Sequence, residues 1–159
     1  MILMVVSDDH GRDTFEQAYA DAVKRYGTVD ALFHAGDTGR YDNEYYTSIC
    51  GCQAYIVKGN NDFNANPQEL TVDVGGKKIF LTHGHRYGVY TGVERLYFAG
   101  LERNADIIIY GHTHIPLHQS GDKLEIINPG SVAGIRSNTK SYAIIDIQGD
   151  ITKTTFHYL

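Results

Sequence analysis

Five short apolar blocks, each followed at once by polar residues, are the feature that most constrains the fold of this chain. The first block, Ile2–Val6, is apolar throughout, which is typical of a strand covered on both faces. The polar groups that follow the five blocks are Ser7-Asp8-Asp9-His10, Gly36-Asp37, Gly59-Asn60-Asn61-Asp62, Thr82-His83-Gly84-His85 and Gly111-His112-Thr113-His114. We therefore expect a sheet-based fold that brings these strand ends together.

The segments between the blocks change character along the chain. Asp13, with Glu16 three residues later, predicts the capped start of a helix that ends near Gly27. A second, short helix is predicted over 43–49 and a third after Thr91. From residue 69 onwards hairpins dominate, beginning with two strands on either side of a Gly-Gly pair at 75–76. Parallel strands are thus expected early and antiparallel strands late.

This order of elements predicts one domain over residues 1–159, of the α/β (α+β) class. We expect two mixed β-sheets with helices on their outer faces. In open α/β sheets, ligands bind beyond the carboxyl ends of the strands, which is where the polar groups lie. His34 inside the second strand is interpreted as a core residue, and Asp9 is expected to be exposed, with support of the neighbouring ligands as its alternative.

Composition excludes several classes of protein. The chain has 159 residues with 42% hydrophobic and 21% charged residues, which is ordinary for a globular domain. Its formal charge of −5 and the absence of a Lys/Arg cluster argue against a nucleic-acid footprint. Cys50 and Cys52 are too close for an unstrained disulfide and are interpreted as small packing residues.

No segment resembles a membrane span or a signal peptide. The longest apolar runs fall well short of the ~18 residues that cross a bilayer. The apolar start of the chain lacks a basic region and meets Asp8 and Asp9 at once, so it predicts a first strand. We expect a cytoplasmic protein without a membrane partner, and the sequence leaves open whether it forms a homo-oligomer.

Seven side chains at the predicted strand ends have the chemistry of metal ligands. They are Asp8, His10, Asp37, Asn60, His83, His112 and His114. Carboxylates, an amide oxygen and imidazoles together suit divalent Mn, Fe, Zn, Co or Ni, and the absence of cysteine argues against a structural zinc–thiolate site. Seven ligands exceed the needs of one ion and suit two ions that share a carboxylate.

The ordered series Asp-x-His, Gly-Asp, Gly-Asn-x-Asp, His and Gly-His-x-His resembles the motifs of the calcineurin-like metallophosphoesterases. The whole chain is most similar to their small prokaryotic phosphodiesterase branch, which is related in fold to the scaffold subunit of retromer. The resemblance implies a four-layer αββα sandwich of two mixed β-sheets flanked by helices.

The resemblance also implies the ligand sets and the reaction. One ion would be held by Asp8, His10, Asp37 and His114, and the other by Asp37, Asn60, His83 and His112, with Asp37 bridging. The cofactors would be two divalent ions, with Mn as first choice and Ni, Co, Fe or Zn as alternatives. A hydroxide activated at this two-metal centre would hydrolyse a small phosphodiester substrate.

One position departs from the family pattern. Many members have a histidine that protonates the leaving group where this chain has Asn61, and a neutral amide cannot act as a general acid near pH 7. We therefore predict good turnover of aryl and poor turnover of alkyl phosphodiesters. His85 is the rival proton donor, with a loop or ligand-supporting role as its alternative. Arg136 is assigned to the substrate phosphate, with a solvated surface role as its alternative.

Three other functions compete with a phosphodiesterase. A non-catalytic scaffold on the same fold would be expected to lose metal ligands, and this chain retains all seven. A phosphomonoesterase or protein phosphatase would normally have the missing histidine and a larger substrate-binding insertion. A structural metal site without turnover would not need seven ligands. The sequence identifies neither the natural substrate nor the native metal.

Overall fold

The structure is a computed structural model that describes residues 1–159, and it contains ten strands and three α-helices. The strands are β1 (Ile2–Val6), β2 (Ala31–His34), β3 (Gln53–Ile56), β4 (Glu69–Val74), β5 (Lys77–Thr82), β6 (Ile107–Ile109), β7 (Leu117–Ser120), β8 (Glu125–Asn128), β9 (Ser141–Gln148) and β10 (Ile151–Tyr158). The helices are α1 (Phe15–Tyr26), α2 (Asn43–Cys50) and α3 (Glu94–Glu102). A short 3₁₀ turn covers His85–Tyr87.

The strands form two mixed sheets of five strands each. The first sheet has the order β10-β9-β1-β2-β3, in which β1, β2 and β3 are parallel and β9 and β10 are antiparallel. The second has the order β4-β5-β6-β8-β7, in which β5, β6 and β8 are parallel. The predicted hairpin around Gly75-Gly76 forms with Val74 opposite Lys77. The late hairpins form as predicted, but the expected shift from parallel to antiparallel pairing is only partial, because β5, β6 and β8 are also parallel.

The two sheets pack face to face between layers of helices. Leu3 and Phe33 of the first sheet share one buried cluster with Ile79 and Ile109 of the second. The outer face of the first sheet packs on α1 and α2, and the outer face of the second packs on α3. This is the four-layer αββα sandwich. Both faces of each central strand are covered, which explains why β1 is apolar throughout.

The start of α1 differs from the prediction by one residue. The N-cap is Thr14, which makes no side-chain cap hydrogen bond, so the capping box of Asp13 and Glu16 is wrong. Asp13 instead pairs with Arg40 at the surface, with Nη2 of Arg40 3.1 Å from Oδ1. The segment before α1 lies against the loop after β2, where the Gly11 N–H donates to the Thr38 carbonyl at 3.1 Å, and this places Asp13 beside Arg40.

The six parallel strands point their carboxyl ends at a common edge. Each loop that follows one of these strands carries polar residues named in the sequence analysis. The fold therefore gathers at one place the groups that the sequence distributes over more than 100 residues. None of the helices has the length and apolarity needed to cross a membrane.

Candidate metal centre

Five of the seven predicted ligands have a strained backbone. Asp8, His10, Asp37, His112 and His114 have φ values of 58°, 50°, 57°, 69° and 62°. Side chains other than glycine rarely adopt this left-handed region, and each instance costs of order 1–3 kcal/mol. The fold holds these residues there because the loops turn sharply at the strand ends, which points the side chains inwards. Such clustered strain is characteristic of functional sites.

Two glycines let the loops approach the acidic side chains. A Cβ on Gly59 would collide with Oδ1 of Asp37, and a Cβ on Gly111 would collide with the hydroxyl of Ser7 and with Oδ2 of Asp8. Both positions therefore require glycine. The Gly-Asn and Gly-His pairs in the sequence reflect this close packing against the carboxylates.

The first predicted ligand set converges in the structure. Nε2 of His114 lies 3.1 Å from Oδ1 of Asp8, and Nε2 of His10 lies 3.5 Å from Nε2 of His114. Nε2 of His10 is also 3.5 Å from Oδ2 of Asp37. Ligand atoms bound to one ion at about 2.0–2.2 Å stand roughly 3–3.5 Å apart, so this spacing fits a single cation.

The second set converges on the neighbouring side of Asp37. Nε2 of His83 lies 3.0 Å from Oδ1 of Asn60, 3.2 Å from Nδ1 of His112 and 3.6 Å from Oδ2 of Asp37. The two sets thus meet at one atom, Oδ2 of Asp37. The structure brings all seven predicted residues into this one cluster.

Hydrogen bonds to backbone carbonyls fix the tautomers of two histidines. Nδ1–H of His83 donates to the carbonyl of Ala35 at 2.6 Å, and Nδ1–H of His114 donates to that of Ile135 at 2.9 Å. In the neutral rings, Nε2 of each then presents a lone pair to the cluster. Metal-binding histidines are oriented in this way. Lone pairs that face oxygen atoms repel unless a cation lies between them.

Asp8 provides a further test of whether a cation fits. Its Oδ2 accepts hydrogen bonds from the Ser7 hydroxyl at 2.6 Å and from the His112 N–H at 3.1 Å. Its Oδ1 is buried and accepts no hydrogen bond, although Nε2 of His114 is close. A buried carboxylate oxygen without a donor is costly. The residues present therefore fit a divalent cation at this point.

The electrostatics of the cluster favour positive charge beside Asp8. Burial alone would raise the pKa of Asp8, but the contact with His114, with help from His83 and Ser7, lowers it. Burial alone would lower the pKa of His114, yet Asp8 raises it. Burial and the neighbouring His83 lower the pKa of His112 to about 4, so this ring is neutral and available as a ligand at pH 7.

Asp9 lies in the core, so the prediction of an exposed side chain is wrong. It is 0% exposed, its Oδ2 accepts a hydrogen bond from the Tyr46 hydroxyl, and Nε2 of His34 is 3.5 Å away. His34 in turn accepts from the Gly36 N–H through Nδ1 at 3.1 Å, so Nε2 carries the proton. The buried network holds the turn between Asp8 and His10 against α2.

Two other residues tie the loops together. Asp62 is buried and accepts from the N–H groups of Gly39 at 3.0 Å and Gly59 at 2.8 Å, so it joins the loops after β2 and β3. The Ser131 hydroxyl donates to the carbonyl of Asp8 at 2.7 Å. Neither side chain reaches the cluster directly. Ser131 holds the backbone of Asp8, and Asp62 holds the backbone of Gly59, the residue before Asn60.

The three predicted catalytic residues lie around the cluster in different settings. Asn61 donates from its backbone N–H and from Nδ2 to the two oxygens of Asp37, at 2.9 and 2.7 Å. The ring of His85 is centred 5.4 Å from that of His83, and burial, followed by His83, lowers its pKa. Arg136 is at the rim, where Nη1 donates to the Tyr90 hydroxyl at 2.7 Å.

Two tyrosines that are absent from the predicted site contact its residues. Tyr46 anchors Asp9, and Tyr90 donates from its hydroxyl to the carbonyl of His112 at 3.0 Å. In a chain with 12 tyrosines, the sequence favoured core or surface packing for each, with stacking on a nucleobase as the alternative. The position of Asp9 between two predicted ligands is the one sequence signal that points towards such a network.

The fold and the cluster together define an α/β protein with a candidate metal centre at the carboxyl edge of two mixed sheets. The family model for the calcineurin-like phosphoesterase superfamily domain matches residues 1–150. A probable metallophosphoesterase of Bacillus subtilis, YsnB, is 33% identical over 160 residues, which cover 99% of this chain and 90% of YsnB. The chain therefore belongs to the calcineurin-like phosphoesterase superfamily.

Solved structures share the fold over the full length of the chain. An archaeal phosphodiesterase superimposes with a TM-score of 0.81 at 22% identity and covers 100% of both chains. Vps29 of Entamoeba histolytica, crystallised with Zn²⁺, has a TM-score of 0.78 at 22% identity and covers 99% of both chains. At these identities the likeness shows the fold alone.

Proposed function

We propose that this protein is a divalent-metal-dependent phosphodiesterase with a two-metal centre. The observation that carries the proposal is the position of Oδ2 of Asp37, which lies 3.5 Å from Nε2 of His10 and 3.6 Å from Nε2 of His83. A carboxylate with histidines of two ligand sets on either side is suited to bridge two cations. Membership of a phosphoesterase superfamily supplies the reaction class.

The two proposed ligand sets are those that the family resemblance implies, and the contacts of this cluster support them. One ion would be held by Asp8, His10, Asp37 and His114, and the other by Asp37, Asn60, His83 and His112. The set of carboxylate, amide and imidazole donors suits Mn²⁺ first, with Ni²⁺, Co²⁺, Fe²⁺ or Zn²⁺ as alternatives. Bound divalent ions supply neutralisation of the phosphoryl oxygens and a hydroxide nucleophile near pH 7.

The surrounding residues prepare the ligands for this task. The carbonyls of Ala35 and Ile135 hold His83 and His114 in the tautomer that offers Nε2. Asn61 holds both oxygens of Asp37 through its backbone and side-chain N–H groups, which keeps the carboxylate in the bridging position. These groups act by orientation, which reduces reorganisation when substrate binds.

A diester is the substrate class that we propose. The activity named for the archaeal neighbour supports this choice. The identity of Asn61 also supports it, because the amide that replaces the family histidine offers no acidic proton. Substrates with good leaving groups need no such proton. The partner of the protein would then be a small phosphodiester.

The test of the function combines metal content with activity. We expect purified protein loaded with Mn²⁺ to contain two ions per chain by elemental analysis and to hydrolyse bis(4-nitrophenyl) phosphate faster than 4-nitrophenyl phosphate. Faster monoester hydrolysis would favour a phosphomonoesterase. Two bound ions with no turnover of either ester, for Mn²⁺, Ni²⁺, Co²⁺, Fe²⁺ and Zn²⁺ alike, would favour a non-catalytic scaffold.

Variants of single histidines distinguish the two proposed ion sites. His114→Ala should remove the ion shared with Asp8 and His10, whereas His112→Ala should remove the one shared with Asn60 and His83. Each variant is expected to bind one ion and to lose roughly 10²–10³-fold in kcat, the size of loss on removal of one preorganised catalytic group. His118→Ala, which changes a histidine paired with Glu125 away from the cluster, is the control. If both variants lose the same ion, the assignment of two sets is wrong.

The leaving group provides a test of His85. If His85 protonates the departing oxygen, His85→Ala should lower kcat for an alkyl diester by roughly 10²-fold, at the lower end of general acid catalysis, and for an aryl diester much less. The comparison uses bis(4-nitrophenyl) phosphate and methyl 4-nitrobenzyl phosphate, whose leaving groups differ in basicity. Equal losses for the two substrates would assign His85 a supporting role only.

A further inference from the structure

The largest concavity of the surface lies beside the histidine cluster and not over it. It is a groove of about 500 Å³, in the size range of small-molecule sites. Its lining includes Tyr90, Val93, Glu94, Thr113, Ile115 and Leu117. Thr113 stands between His112 and His114, so the groove begins at the loop that supplies two candidate ligands.

Tyr90 forms the wall between the groove and the cluster. Its ring is centred 4.8 Å from the ring of His112, and its hydroxyl donates to the carbonyl of the same residue at 3.0 Å. The hydroxyl also accepts from Nη1 of Arg136 at 2.7 Å. These contacts fix the ring, yet Tyr90 remains 58% exposed. A fixed, exposed aromatic ring is a surface on which a flat group stacks.

The lining selects for a neutral group. Val93, Ile115 and Leu117 provide apolar contact, and Glu94 is the one charged residue among the lining side chains. Its negative charge disfavours an anion in the groove, whereas the adjoining cluster is suited to cations and, through them, to phosphate. A ligand with an anionic end and a neutral aromatic end therefore matches the groove and the cluster together.

We propose that the groove binds an aromatic ester group that stays on phosphorus while the other ester group leaves. This inference rests on the proposed phosphodiesterase function. The Tyr90 hydroxyl donates to the carbonyl of His112, so it fixes the ring and is not free to protonate a departing oxygen. A phosphomonoester carries no retained ester group, so the groove gives a structural reason for a preference for diesters.

The test uses two diesters that share one leaving group. Phenyl 4-nitrophenyl phosphate and methyl 4-nitrophenyl phosphate both release 4-nitrophenolate, so the ratio of their kcat/KM values isolates the retained group. With the Mn²⁺-loaded protein we expect a ratio of at least about tenfold in favour of the phenyl ester, since an apolar pocket discriminates by roughly that much or more. A ratio near one would overturn the proposal.

Substitution of Ile115 tests whether the preference for the phenyl ester arises in the groove. Ile115 is 62% exposed and Ile151 on β10, in the other sheet, is 72% exposed, so Ile115→Ser and Ile151→Ser are matched changes. Ile115→Ser should reduce the phenyl-to-methyl ratio by at least threefold, and Ile151→Ser should leave it unaltered. An unaltered ratio in Ile115→Ser would also overturn the assignment.

A binding measurement separates this inference from the proposed function. Calorimetry with phenylphosphonate and methylphosphonate, which are not hydrolysed, measures the phenyl-to-methyl preference as a ratio of dissociation constants. Tighter binding of phenylphosphonate that is lost in Ile115→Ser supports the groove even if no diester is turned over. Hydrolysis of diesters with equal binding of both phosphonates would leave the function standing and refute the groove.

Discussion

Replacement of Asp37 by asparagine is expected to remove both metal ions and nearly all activity. The variant keeps the size of the side chain but loses the negative charge and one of the two oxygens that a bridging ligand needs. Its amide would also oppose the N–H groups of Asn61, which donate to both carboxylate oxygens at 2.9 and 2.7 Å. We expect kcat to fall by at least roughly 10³-fold, the upper end of losses for one preorganised group.

Elemental analysis, diester assays and thermal unfolding together check this result. Asp150→Asn, on an exposed turn after β9, is the matched control and should keep two ions and full activity. A cooperative unfolding transition of Asp37→Asn would show that the loss is not caused by misfolding. Retention of two ions with activity within tenfold of the unaltered protein would contradict the bridging role.

Replacement of Asp9 by alanine is expected to destabilise the fold. Burial and the Asp9 carboxylate raise the pKa of Tyr46, so its hydroxyl remains a donor, and alanine would leave that hydroxyl and Nε2 of His34 buried without a partner. Each such loss costs about 1–3 kcal/mol, so the free energy of unfolding should fall by about 2–6 kcal/mol. The strained turn that carries Asp8 and His10 would also loosen, and metal affinity should fall.

Denaturant unfolding of the metal-free protein measures the change in the free energy of unfolding without a contribution from metal binding. Asp13→Ala, which removes an exposed carboxylate on the same side of the fold, should change stability by less than about 0.5 kcal/mol. Tyr46→Phe removes the hydroxyl that donates to the buried Asp9 carboxylate and should also lower the free energy of unfolding, by at least about 1–3 kcal/mol. Equal stability of Asp9→Ala and Asp13→Ala would show that the buried network does not stabilise the turn.

The sequence predicted most of the candidate centre because its signals are local. Each candidate ligand follows an apolar block, and the glycines at 59 and 111 mark where a loop packs against a carboxylate. The hairpin around Gly75-Gly76 was predicted to the residue, since two glycines leave few alternative turns. The cap of α1 was predicted one residue too early, and Asp13 contacts Arg40 at the surface and does not cap the helix.

By itself, the sequence determined the class of fold, the superfamily and the seven residues that meet at the sheet edge. Hydrophobic periodicity and the short polar motifs carry that information, because both depend on neighbours along the chain. Only the tertiary structure decided that Asp9 is buried with Tyr46, that Asn61 holds Asp37, and that a groove opens beside His112. These features join residues that lie 20 or more positions apart, and such contacts arise from packing, which no local pattern encodes.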